Sequence, residues 1–97
     1  MTKESNKDRL YLTIKKEPFE MIKNGIKLEE YRDINEYYDK KFSRPYKTVL
    51  LQNGYSPDSP RIEVEILSIV KKRAVPEWCG GYNGILYAIK LGKILTK

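Results

Sequence analysis

Between Gly25 and Arg32 the chain reads "GIKLEEYR", and three of its residues, Lys27, Glu30 and Arg32, can do chemistry if they meet. An arginine holds phosphate or carboxylate through parallel N–H bonds and keeps its charge, so Arg32 is expected to bind or orient an anion. A partly desolvated lysine can serve as a base or nucleophile, and a nearby glutamate can move a proton or fix the arginine; those are the roles open to Lys27 and Glu30. The plain alternative is a ladder of solvated ion pairs on a strand, worth about 0.2–1 kcal/mol each. Parity is the obstacle to convergence: on a regular strand Lys27 and Glu30 point to opposite faces, so an irregularity near residues 27–29 is expected.

Composition limits what such a site can be. The 97 residues contain no histidine and one cysteine, which removes histidine acid–base catalysis, histidine-containing zinc sites, internal disulfides and thiolate clusters. Neither a metal nor a cofactor is expected. Nineteen basic against thirteen acidic side chains give a net charge of +6, which suits a polyanionic partner. With no long apolar run and no signal-peptide pattern, a cytoplasmic protein without a membrane role is expected. Cys79, between Trp78 and two glycines, reads as a packing residue.

The elements that must position the motif are short. Residues 1–9 are polar without periodicity and read as a frayed leader, with a single domain over 10–97. "LYLTIK" alternates apolar and polar residues as a half-buried strand does. Pro18 opens a helix carrying Phe19 and Ile22 on one face, and Gly25 ends it in the left-handed conformation that glycine tolerates. As a second strand, 26–32 places Ile26 and Leu28 in the core and leaves Glu29 in solvent. Asn35 is the expected N-cap of a second helix with Tyr38 and Phe42 on its inner face. Strands follow at Thr48–Gln52, Arg61–Val70 and "ILYAIKLGKIL", and the turn-rich "NGYSPDSP" either wanders or lines a site. The predicted class is α+β: a small, mostly antiparallel, partly closed barrel of five to six strands with two short helices beside a cleft.

Further candidates lie outside the octapeptide. Asn53 offers amide donor and acceptor atoms to a nucleobase, Tyr55 and Trp78 offer stacking faces, and Lys15 with Lys16 and the run Lys71–Arg73 offer phosphate contacts.

The succession "LYLTIKKEPF", "FEMIKNG", "GIKLEEYR", "LLQNGYSPDSPRIEVEI", "VPEW" and "AIKLGKIL" resembles the ASCH domain family, over Leu10 to Leu95. Its most specific element is Gly25 followed by Lys27, Glu30 and Arg32. The resemblance implies a PUA-like β-barrel whose cleft binds RNA or a modified nucleoside. One branch is similar to amidohydrolases of N4-acetylcytidine, in which the counterpart of Lys27 is catalytic and a threonine stands at Glu30. An ionised carboxylate cannot donate to an oxyanion as that hydroxyl can. The expected function is therefore binding of RNA or a nucleotide through Lys15, Arg32, Asn53, Tyr55 and Trp78. A hydrolase using Lys27 and Glu30 is the alternative, and a protein-interaction scaffold the second alternative.

Overall fold

The computed structural model describes residues 8–77 and 79–96. Most of the leader and the Trp78 stacking face predicted from the sequence fall outside these residues.

Five strands and two helices follow one another as β1 (Arg9–Thr13), α1 (Lys16–Lys23), β2 (Glu29–Arg32), α2 (Glu36–Lys41), β3 (Thr48–Gln52), β4 (Arg61–Arg73) and β5 (Ile85–Thr96). They form one sheet in the order β1-β3-β4-β5-β2, antiparallel except where β1 runs parallel to β3. The α+β class and the mostly antiparallel sheet agree with the sequence reading. Closure does not: β1 and β2 are edges that do not pair with each other, so the sheet is open.

Alternation places the core where period two requires it. Leu10 and Leu12 lie opposite Val49 and Leu51, which lie opposite Val64 and Ile62, and all six are buried. Phe19 and Ile22 of α1 join this layer together with Ile89 and Leu91 of β5. On the other face a smaller cluster of Ala74, Leu86 and Ala88 packs against Tyr31 and Cys79, which fits the packing role expected of the cysteine. Covered on both sides, β5 therefore reads as an unbroken buried run from Leu86 to Ile89.

Both helices end and begin as their sequences dictate. Asn35 Oδ1 accepts from Tyr38 N at 2.9 Å and caps α2. That helix buries no residue fully, and is held by Tyr38 stacked on Phe42 and by Phe42 edge-on to Tyr87. After α1 the chain turns through Gly25 at φ +75°, and the carbonyl of Met21 accepts from both Ile26 N and Lys27 N. Those two bonds hold Ile26 and Lys27 out of the sheet, the Leu28 carbonyl is the first to accept from β5, at Leu91 N, and β2 starts at Glu29, not Ile26. The expected irregularity is there. Its consequence reverses two assignments: Ile26 and Leu28, read as core, are 59% and 63% exposed, whereas Lys27 is 8% exposed.

Candidate functional site

Because Lys27 lies before the strand, its side chain turns inward and meets the inward face of β2. Its Nζ donates to the carbonyl of Glu29 at 2.6 Å and to Glu30 Oε1 at 3.4 Å, and stands 4.4 Å from the centre of the Tyr31 ring. The other oxygen of Glu30 accepts from Arg32 Nε at 3.2 Å and from Nη2 at 2.8 Å. Glu30, 7% exposed, is thus shared between two cations. Burial works against charge on Arg32, but the adjacent Glu30 carboxylate and the Tyr38 hydroxyl more than compensate and hold its pKa above the ordinary arginine range.

Arg32 makes two further contacts that shape the site. Nη2 donates to the carbonyl of Thr13 at 3.1 Å, and Nη1 to Tyr38 Oη at 3.2 Å. Thr13 ends β1 and Arg32 ends β2, so the guanidinium clasps the two free edges of the open sheet. The gap they leave is a cleft of about 600 Å³, within the size range of small-molecule sites.

Lys15, Glu30, Arg32, Asn53 and Tyr55 all line this seam cleft, five of the residues singled out from the sequence. Lys16 and the start of α1 form another wall. Neither Lys15 nor Lys16 has an ion-pair partner among the described residues, and the Asn53 side chain has no hydrogen-bond partner among them. The loop after β3 is braced: Gln52 Nε2 donates to the carbonyl of Gly54 at 2.8 Å, Arg61 Nε donates to Gln52 Oε1 at 2.9 Å, and Asn53 N donates to the Pro60 carbonyl at 2.9 Å. Gly54 at φ +118° leaves room for Ser59, whose hydroxyl would lie 2.8 Å from an added Cβ. At its tip Tyr55 is 90% exposed.

Lys27 does not share that concavity. It lines a second one, of about 360 Å³, with Ile26, Leu28, Glu29, Tyr31 and Val75. The single cleft expected for Lys27, Glu30 and Arg32 is therefore two: Glu30 and Arg32 line the seam cleft, and Lys27 lines the other. The hydrogen-bonding and ring contacts of the Lys27 ammonium are to its own neighbours Glu29, Glu30 and Tyr31, and of these only Glu30 lines the seam cleft.

Glu29, expected in solvent, is instead half-buried. It accepts from Tyr31 Oη at 2.7 Å and from Lys72 Nζ at 3.2 and 3.3 Å. Lys72 is thereby committed within the run Lys71–Arg73, and Arg73 donates to the Asn83 carbonyl. Burial pushes the Glu29 carboxyl up, but the bonds from Tyr31 and Lys72 and the nearby positive charges outweigh it and hold its pKa below the ordinary 4.5. Burial first, and then the bond to Glu29, pushes the Tyr31 phenol above its ordinary 10.0.

Stability should therefore fall at both ends of the pH scale. A depressed carboxylate contributes above its unfolded pKa, so the Glu29 share is lost as pH falls below about 4.5. A raised phenol contributes below its unfolded pKa, so the Tyr31 share is lost as pH rises past 10.0. Glu29→Gln is expected to cost about 1 kcal/mol at neutral pH and progressively less in acid. Urea titrations of both proteins between about pH 2 and pH 8 check this, and a constant difference across that range would contradict it.

Lys16, a phosphate-contact candidate with Lys15 in the sequence, lines the same cleft. The seam itself escapes sequence reasoning, because it depends on which strands become edges, which no local pattern encodes. Among the described residues no group of histidine, cysteine, aspartate and glutamate could hold a metal, and no helix is long and apolar enough to cross a membrane. Compared with known proteins, the chain matches no family model, no curated protein and no solved structure.

Proposed function

We propose that the chain is a binding module for RNA or a nucleotide-like ligand, an ASCH-type domain whose PUA-like barrel is left open at the seam between β1 and β2. One observation carries the reading. The cleft gathers two uncommitted ammonium groups, a free side-chain amide and an exposed aromatic ring, a set able to meet a phosphate, the edge of a base and the face of a base. Arg32 supports it mainly as the clasp, because four of its five N–H donors are already used. The same geometry favours binding over hydrolysis, since Lys27 is turned into the neighbouring cavity.

The test is titration with uridine and cytidine 5′-monophosphates at several salt concentrations. Lys15→Ala/Lys16→Ala is expected to weaken binding about tenfold or more and to flatten the salt dependence, as loss of about two phosphate-facing cations requires. Unchanged affinity in this variant, or binding indifferent to salt, would refute the assignment of the seam cleft.

A further inference from the structure

The seam cleft does not end at Arg32. Beyond the clasp lies another concavity of about 330 Å³, and Thr13, Arg32 and Tyr55 are walls of both. The two form one groove that runs from the start of α1, across the β1–β2 seam, to the outer face of α2.

The second half has its own set of groups. Tyr37 is exposed, and Lys41 Nζ stands 5.6 Å from the centre of its ring. Tyr37 is braced edge-on against Tyr38 at 4.9 Å, and Tyr38 is stacked on Phe42 at 5.3 Å, so an exposed ring is backed by a packed column. Tyr11 forms another wall. Cations therefore stand at both ends of the groove, with tyrosine rings between them. Glu30 is the only carboxylate among the described residues lining either half, and Lys27 and Arg32 already neutralise it.

A mononucleotide has one base and one phosphate group and would leave half of these groups unused. A chain with alternating phosphates and unstacked bases would use them all. Duplex nucleic acid would not, because its base faces are stacked against each other. We infer that the groove binds a single-stranded stretch of nucleic acid several nucleotides long, with its backbone passing from Lys15 and Lys16 across Tyr55 to Lys41, and a base on Tyr37. This rests on the function proposed above and extends the ligand from a nucleotide to a strand.

The experiment compares fluorescein-labelled oligouridylates and oligothymidylates, from two to about six nucleotides, with uridine 5′-monophosphate and with a duplex of the longest sequence. Affinity is expected to rise at least about tenfold with length in one or both single-stranded series, and the duplex is expected to bind more weakly. Tyr37→Ala and Lys41→Ala should each weaken the longest strand about tenfold, in line with the worth of one stacked base, and leave the mononucleotide unchanged. Tyr37 is exposed on a helix that buries no residue, so its removal leaves the fold intact. Monophosphate binding with no gain from length, tighter duplex binding, or equal losses for monophosphate and strand in the α2 variants would overturn the strand inference alone. If neither monophosphate nor strand binds, the proposed function falls with it.

Discussion

Glu30→Ala is expected to cost about 3 kcal/mol or more, the range found when one member of a buried charged group is removed and the rest stay buried. Among the described residues Glu30 is the only acid ion-paired with Lys27 or Arg32, so the variant leaves both cations without a salt-bridge partner, held by carbonyl, hydroxyl and ring contacts. For a domain of this size a loss of about 3 kcal/mol lowers Tm by about 12–24 °C. The denaturant midpoint should fall with an unchanged slope if the native state keeps its extent. Glu30→Ala combined with Arg32→Ala should cost less than the sum of the single changes, because the second change removes a charge that the first left unpaired. A loss below about 1 kcal/mol would place the trio among solvated surface pairs, where its sequence alone had allowed it to be.

Phe19→Ala is the second large effect, about 3–5 kcal/mol by the usual cost of emptying a buried phenylalanine site. Helix α1 has eight residues and buries two of them, Phe19 and Ile22, so it has few other anchors. The same helix carries Lys16 at its start, and its Met21 carbonyl holds the turn that points Lys27 inward. Loss of Phe19 should therefore reach the site as well as the core. Ligand affinity is expected to fall together with stability, whereas Phe19→Leu, which retains most of the volume, should cost about 1 kcal/mol and leave binding nearly intact. Calorimetric unfolding and nucleotide titration of both variants read the two effects. Full affinity in a stably folded Phe19→Ala protein would show that α1 does not position the cleft.

The parts of the fold that were readable in the sequence are those in which one physical rule acts alone. Val49, Leu51, Ile62 and Val64 are buried because alternation on a one-sided sheet leaves no other choice, and β3 and most of β4 follow from it. Asn35 caps α2 because an amide oxygen at that position satisfies a free N–H. Residues 26–28 were misread because two rules compete there. Alternation of Ile26 and Leu28 favours a strand, but the backbone hydrogen bonds that close α1 take priority and invert which side chains face inward. The partly closed barrel expected from the sequence is an open sheet here, since strand count says nothing of whether the outer strands reach one another. The seam cleft is harder still: its walls come from β1, α1, β2 and the loop after β3, and they meet only through tertiary order. Glu29 shows the same limit, because its partner Lys72 is 43 positions away in the chain.

The strand order also has a temporal consequence. β3, β4 and β5 form a meander in which each strand pairs with its neighbour in sequence, and such local pairing closes short loops at low entropic cost. Both edges are different: β1 reaches β3 across the segment that contains α1, β2 and α2, and β2 pairs with β5 only after most of the chain has been traversed. The meander can thus assemble early, and the two edges add to it late. A cleft walled by these two edges is expected to form after the meander and to open before it, so a ligand that spans the seam would add its stability where the sheet is joined by its most distant contacts in sequence.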